Sequence, residues 1–264
     1  MSDHIERYRR RVSRNGNDVG EAYKNNTIAF IEATFHSSPT FRRMKVNSYQ
    51  FPEIKEIDAR VVEVERMGSL REAVLRPSQY LDVGAYVHFD DEDYIVFDRH
   101  GGTGATNNKL TLARCNRHLK WYDQEGNLQD MLCVASATDL GSKSKQSKNE
   151  LEWNKYDVRL PVGQLFVFVE INEATKKIDL NDRFIFGRNA YEVTGIDDIT
   201  AINQDGYGII QLTIKITTKT AKDDFENGIA FNEYKTDVPN EETEVGIMSD
   251  NTNETDNKGS GRLW

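Results

Sequence analysis

The sequence has few cysteines and histidines, the residues on which small disulfide-bonded or metal-bound folds depend. Two cysteines among 264 residues are too few for a disulfide framework, and they do not form a Cys-x-x-Cys pair. The five histidines, at positions 4, 36, 88, 100 and 118, lack the spacing of a metal site. We therefore expect no metal and no cofactor, and a reducing cytoplasm is the simplest compartment for folding.

Long apolar runs are also missing, so we expect no membrane-spanning segment. Arginines occur near the N-terminus, but no apolar segment follows them, which argues against a signal peptide. The expected partners therefore do not include a membrane.

Catalytic motifs are equally scarce. The glycine-rich run 101–106 is not followed by a Lys-Ser/Thr pair, so it does not match a phosphate-binding loop. The carboxylates of 90–93 lack the regular pattern of an EF-hand and favour a solvated turn. No Ser/His/Asp set stands out, and we expect that the protein is not an enzyme.

Charge is distributed unevenly along a chain whose net charge is −9. Residues 1–45 carry nine Lys/Arg against five Asp/Glu, whereas residues 221–264 carry four against eleven. A positive head and a negative tail predict partners of opposite character at the two ends.

A duplicated hairpin dominates what the sequence does contain. Residues 81–98 (LDVGAYVHFDDEDYIVFD) and 178–195 (IDLNDRFIFGRNAYEVTG) align without a gap at an offset of 97 residues. Tyr94 then matches Tyr191, and Gly84 matches Asn181, the two residue types that best tolerate a left-handed turn. Alternating apolar positions predict a strand, a polar turn and a second strand in each copy.

The predicted fold is therefore mainly β: two duplicated small β-barrel or sandwich domains, an N-terminal helical segment and an extended C-terminal tail. We place the basic helical arm at 1–45, the first β-domain at 46–145, the second at 146–220 and the acidic tail at 221–264. Beyond Lys222 the composition is too polar to build a core of its own. Within the first domain, a hairpin turn at 123–127 would bring Cys115 and Cys133 close together, where buried free thiols are favoured over a disulfide.

The arm carries the candidate partner interface. Asp18 followed by Glu21 predicts a capped helix start, and Ser38-Pro39 ends the helix. One helix face holds Ile28, Ile31 and Phe35, while Phe30 lies off that face. This face fits docking on a partner or packing on the first β-domain. The preceding arginines fit binding to phosphates or to an acidic protein surface, or a solvated helix face; they include Arg9, Arg10 and Arg11.

Several strand motifs resemble those of head–tail connector proteins of tailed phages that infect Gram-positive bacteria. In the first half the resemblance rests on VGAYVHF at 83–89, YIV at 94–96 and LARCNRHLKW at 112–121. In the second half it rests on INEATKKI at 171–178, NDRF at 181–184 and YEVT at 191–194. The resemblance spans roughly residues 15–217. The chain departs from the pattern at Tyr94, where the family has Trp, and in its short acidic tail.

This resemblance implies a structural virion protein that forms a homo-oligomeric ring, six- or twelve-fold, at the head–tail interface. Its implied partners are the portal protein, tail or collar proteins, and DNA that passes through the lumen without sequence specificity. Its implied location is the virion, with the host cytoplasm during assembly. An adaptor, a stopper and a collar role all remain open.

One loop is a candidate for reaching into the DNA passage, because its residues are small and it lies at the tip of a hairpin. It runs over 101–108 and includes Gly101, Gly102, Thr103, Gly104 and Asn107. An outward position as an idle surface loop is equally open. The alternative function is a β-barrel nucleic-acid-binding module or another non-catalytic interaction module, which the arginines favour and the acidic overall balance opposes.

Overall fold

The computed structural model describes residues 2–12, 16, 18–64, 69–101, 106–137 and 163–233. Two helices, α1 (Ser2–Val12) and α2 (Val19–Thr34), precede a 3₁₀ turn at Phe35–Ser37. The first sheet contains β1 (Phe41–Asn47), β2 (Glu56–Glu63), β3 (Leu70–Leu75), β4 (Tyr86–Phe89), β5 (Glu92–His100) and β6 (Lys109–Arg114). The second contains β7 (Arg117–Tyr122), β8 (Leu128–Ser136), β9 (Gln164–Glu170), β10 (Arg183–Phe186), β11 (Asn189–Asp197) and β12 (Ile209–Thr217).

The first six strands form a closed antiparallel barrel in the order β1-β2-β3-β6-β5-β4. Closure comes from β1 and β4, where Val46 lies opposite Val87. Among the described residues, the first barrel therefore has no free strand edge. Alternate side chains point inward and form one core, which includes Val87, Phe89, Tyr94 and Val96.

The second barrel repeats this order as β7-β8-β9-β12-β11-β10. Here β10 and β7 are neighbours that are not joined by a ladder of hydrogen bonds, so the barrel has a seam. Its own core includes Leu119, Trp121, Phe184 and Tyr191. The mainly β fold with two barrel-like sheets is confirmed.

The duplication is confirmed residue by residue in the two hairpins. Tyr94 lies opposite Val87 in the first, and Tyr191 lies opposite Phe184 in the second. Both second strands carry an irregularity at the same place, after Val96 and after Val193. Gly84 (φ 95°) and Asn181 (φ 71°) both adopt the left-handed conformation that the sequence comparison predicts.

The boundary between the sheets differs from the sequence-based placement. Residues 117–136 were assigned to the first β-domain, but they form β7 and β8, and β8 pairs with β9 of the second barrel. The first barrel is already complete without them because β1 closes it, and β1 begins at Phe41 within the predicted arm.

The start of the predicted acidic tail also belongs to the fold. Residues 218–233, which we call the strap, cross β10, and Ile229 and Ala230 are buried there. The Arg183 guanidinium binds Asp223 at 2.9 Å, and the Asn232 side-chain amide bonds both the backbone N–H and the C=O of Arg183. A polar segment is ordered here because it satisfies the unpaired backbone of an edge strand.

The two barrels pack face to face through a third apolar cluster. Its buried members are Leu70, Tyr86, Ile95, Ala113, Val134, Phe168 and Ile209. The Tyr86 hydroxyl donates to the Leu132 carbonyl and accepts from the Glu170 N–H, which ties the barrels together. Gly84 is required at this contact because a Cβ there would lie 2.3 Å from the Gly208 carbonyl oxygen.

Candidate functional site

The described residues include several exposed apolar and aromatic side chains that could form binding surfaces. Within the described residues, no group of three or more His, Cys, Asp or Glu is arranged to hold a metal ion. Of the helices that the structure describes, none has both the length and the apolar character needed to cross a bilayer.

A shallow groove of about 350 Å³ lies along the seam of the second barrel. It is lined by His118, Lys120, Asp130, Ile185, Gly187 and strap residues 225–228. Asp130 already accepts from His118 at 2.7 Å and faces Lys120 at 3.5 Å. His118, Lys120 and Asp130 in this groove therefore already interact with one another.

The N-terminal arm is held to the first barrel at one end. Asp18 caps α2 by accepting from the Glu21 N–H at 2.8 Å, as predicted. At the other end two guanidinium groups lie over the Phe35 ring, that of Arg60 at 4.9 Å and that of Arg76 at 5.1 Å from the ring centroid. Arg76 also pairs with Glu32, so the last turn of α2 is anchored by charge and by stacking.

The predicted interface residues of α2 fall in two environments. Phe35 is fully buried by its own chain, so in this conformation its side chain does not face a partner. Ile28 and Ile31 are half-buried. The exposed apolar side chains are instead Val19, Tyr23 and Phe30, at 70%, 72% and 69%, and we call these three the arm stripe.

The remaining predicted candidates are only partly described. Arg9, Arg10 and Arg11 lie within the backbone of α1, while their side chains are outside the described part of the chain. Gly101 is exposed and Asn107 is half-buried at the two ends of the β5–β6 loop. Gly102, Thr103 and Gly104 lie outside the described residues.

A polar network surrounds Asp82 where the barrels meet. Its carboxylate accepts from the Tyr80 hydroxyl at 2.9 Å, from Arg99 at 3.2 Å and, across the junction, from Asn203 at 3.1 Å. Burial alone would raise the pKa of Asp82, but hydrogen bonds from Val83, Asn203 and Tyr80 outweigh burial and lower it. The carboxylate therefore stays ionised and fixes the relative position of the barrels.

Beside this network lies a surface that we call the junction patch. It consists of Tyr49, Tyr80, Tyr207 and the loop 198–206 with Asp198, Ile199 and Asp205. The rings of Tyr49 and Tyr207 are 6.1 Å apart, and Arg99 stacks 5.0 Å from the Tyr80 centroid. Ile199 is 81% exposed and Tyr49 is 44% exposed, so apolar and aromatic area faces solvent here.

A buried acid lies between the barrels near this patch. The Glu170 carboxylate of the second barrel accepts from the backbone N–H of Tyr49 of the first at 2.8 Å. Burial raises the pKa of Glu170 to about 7, and the Tyr49 hydrogen bond opposes that rise. The contact between the barrels therefore contains a group that changes charge near neutral pH.

The two cysteines are free thiols, as the sequence favoured. Burial, together with the Asp93 charge, raises the pKa of Cys115 to about 12, and burial raises that of Cys133 further. Thiols that stay protonated are poor nucleophiles, so these side chains serve packing.

Sequence reasoning missed the junction patch and the strap. The one signal for the patch was the stretch 189–214, which holds four Asp/Glu and no Lys or Arg. No local pattern marks the strap, because its order depends on contacts with Arg183, far away in the chain.

Comparison with known proteins links the second barrel to a phage-associated family. Residues 117–215 match the family model of the YomX C-terminal domain, from a Bacillus phage region of the SPbeta type. This match covers β7–β12 almost from end to end and is consistent with a phage protein. No curated protein matches the chain.

Two solved structures align loosely with the chain. MrkH, titled a c-di-GMP-dependent transcription regulatory factor, is 8% identical over 76% of this chain and 86% of its own, with a TM-score of 0.21. The Bacillus subtilis inhibitor of motility MotI/DgrA is 10% identical over 69% and 89%, with a TM-score of 0.19. Superpositions this loose carry no functional argument.

Proposed function

We propose that the protein is a non-catalytic structural component of a phage particle and forms a ring at the head–tail interface. In this role it connects the portal to tail or collar proteins and surrounds the DNA passage. The observation that carries the proposal is the coincidence of three features in β7–β12: the phage-family match, the connector-like strand motifs and a barrel-like sheet with its own apolar core.

Rigidity supports this function because a ring under pressure from packaged DNA must hold its shape. The apolar cluster between the barrels, the Tyr86 bridge and the Asp82 network act at separate points of the junction. Several independent contacts across one interface make the two barrels move as a unit.

Particle composition tests the proposal most directly. Phage particles from a strain that encodes this chain should contain it in six or twelve copies, and antibody labelling should place it between head and tail. The purified chain, or its natural assembly, should show a ring by native mass spectrometry and negative-stain microscopy. Absence from particles, together with a monomeric mass, would refute the function.

The arginine content of α1 favours one alternative, a nucleic-acid-binding module. That reading predicts tight binding of a short DNA duplex with a steep loss of affinity as salt increases. Fluorescence anisotropy at two salt concentrations, with an Arg9→Gln, Arg10→Gln and Arg11→Gln variant as comparison, separates this alternative from the ring.

A further inference from the structure

We propose that the arm stripe of one copy binds the junction patch of the next copy. This inference rests on the ring proposed above and names its subunit contact. The arm stripe is Val19, Tyr23 and Phe30, and the junction patch is centred on Tyr49, Tyr207 and the loop 198–206.

The first reason is that α2 buries little of its surface against the described residues. Among the described residues, no side chain of α2 is buried, and Glu32, Thr34 and the following Phe35 contact the first barrel at its C-terminal end. A 16-residue helix is marginal in water unless an apolar face packs against something. A neighbouring subunit would cover the arm stripe and stabilise the helix.

The second reason is charge complementarity. Residues 1–17 contain five arginines against two acids, and residues 189–214 contain four acids and no Lys or Arg. Asp198 and Asp205 stand on the loop of the junction patch, beside exposed Ile199. An apolar stripe that follows an arginine-rich segment in the chain is therefore complementary in charge to an apolar patch with acidic residues on its loop.

The third reason is that aromatic faces in this protein already bind guanidinium groups. Arg99 lies over Tyr80, and Arg60 and Arg76 lie over Phe35. Tyr49 presents an exposed ring of the same kind at the junction patch. Arginines of an incoming α1 would find there the stacking partner that tyrosine offers.

The geometry points to a second copy as the occupant because the two surfaces differ. A contact between two unlike patches of the same chain is heterologous, and repetition of such a contact produces a ring when the rotation closes. The other strand surfaces are less available: the first barrel is closed, and the strap covers Arg183 on β10 of the second.

Charge reversal with rescue tests this contact on the full chain. An Arg9→Glu, Arg10→Glu and Arg11→Glu variant and an Asp198→Arg, Asp205→Arg variant should each weaken subunit association about tenfold or more. Combining the two sets should restore most of the association. The matched control, Glu125→Arg with Glu226→Arg, changes two exposed acids outside the patch and should leave assembly unchanged.

Assembly is measured by native mass spectrometry of the purified chain and by copy number in purified particles, with circular dichroism to check folding. A second patch variant, Ile199→Lys, alters a side chain that is already 81% exposed and should weaken association without unfolding the barrels. If wild-type rings persist in all variants, or the combined variant is no better than either set, the contact is wrong while the ring stands. If the wild-type chain forms no assembly in either setting, the proposed function itself fails.

Discussion

The two barrels share one strand order, but the first closes through β1 and β4 whereas the second leaves β7 and β10 unpaired. The strap compensates, because Asn232 supplies with its side chain the hydrogen bonds to Arg183 that a neighbouring strand would supply. A repeated topology therefore does not require repeated closure: the backbone of an edge strand can be satisfied in more than one way.

Inward-facing and outward-facing positions differ in how far the two copies of the repeat share the same residue character. Inward positions keep their apolar character, as Val87 and Phe184 show. Outward positions do not: Tyr86 and Ile95 pack between the barrels, and their equivalents Arg183 and Glu192 are charged. The charged outward face of the second barrel is covered in part by the strap, whose Asp223 pairs with Arg183.

Release of the strap should produce the largest difference in stability between the two barrels. Burial would raise the pKa of Asp223, but the Arg183 guanidinium and backbone N–H donors lower it to about 2, so the pair is ionised. Asp223→Ala leaves a largely buried guanidinium without its carboxylate partner, although the Thr218 and Phe231 carbonyls still accept from it, and should cost about 3 kcal/mol in the second barrel. Peptide-resolved hydrogen exchange should show faster opening of β10–β12 than of β1–β6. Glu226→Ala, on an exposed strap residue, is the control, and equal loosening of both barrels would contradict the interpretation.

Glu170 makes the junction between the barrels sensitive to pH. Its folded pKa of about 7 exceeds the ordinary value of 4.5, so its stabilising contribution is complete below about pH 4.5 and is lost as pH rises to 7. Glu170→Gln keeps an acceptor for the Tyr49 N–H and should raise the free energy of unfolding above pH 7 by about 2–3 kcal/mol relative to wild type. Urea unfolding at pH 5 and pH 8 measures this difference. Glu173→Gln, at an exposed neighbouring position, should not raise the free energy of unfolding in this way. If Glu170→Gln raised it equally at pH 5 and pH 8, the result would count against titration of Glu170.

Tyr86 tests how tightly the barrels are joined. Tyr86→Phe removes a hydroxyl that bonds the Leu132 carbonyl and the Glu170 N–H in a buried setting, so it should cost about 2 kcal/mol. The loss should appear with reduced cooperativity between the barrels in urea unfolding. Tyr23→Phe, on the exposed arm stripe, serves as the neutral reference. An unchanged midpoint for Tyr86→Phe would show that the apolar cluster alone joins the barrels.

The smallest effect compares the repeat-equivalent tyrosines. The Tyr94 hydroxyl donates to Glu92 at 2.6 Å, and burial together with Glu92 raises the pKa of Tyr94 to about 12. No hydrogen bond of the Tyr191 hydroxyl is found among the described residues. Tyr94→Phe should therefore cost about 1 kcal/mol and Tyr191→Phe less than half of that, measured by urea unfolding. Equal losses would mean that the two sites are alike despite their different partners.

Much of the fold was accessible from local pattern. The 97-residue offset predicts both hairpins, and Gly84 and Asn181 predict their left-handed entry turns. Asp18 predicts the start of α2. These features depend on residues close together in the chain, where side-chain period and turn chemistry decide the structure.

The candidate binding surfaces were harder to predict from the sequence than the fold. The pattern of α2 indicates an amphipathic helix, but it does not tell which side of the helix is covered. The structure buries Phe35 beneath Arg60 and Arg76 and exposes Phe30. The subunit ring, the portal and tail partners and the position of the 101–108 loop stay predictions, because they depend on other molecules or on residues outside the described ranges.

The sequence by itself determined two similar β-modules and a capped helix before them, and it favoured free thiols over a disulfide at Cys115 and Cys133. The tertiary structure decided that β7 and β8 join the second barrel, that the first barrel closes while the second has a seam, and that the strap belongs to the fold. The physical reason is that alternation specifies which face of a strand is buried, whereas the partner of an edge depends on backbone hydrogen bonds that any strand or side-chain amide can satisfy. Packing between segments far apart in the chain settles which strand or side-chain amide forms the hydrogen bonds to a given edge.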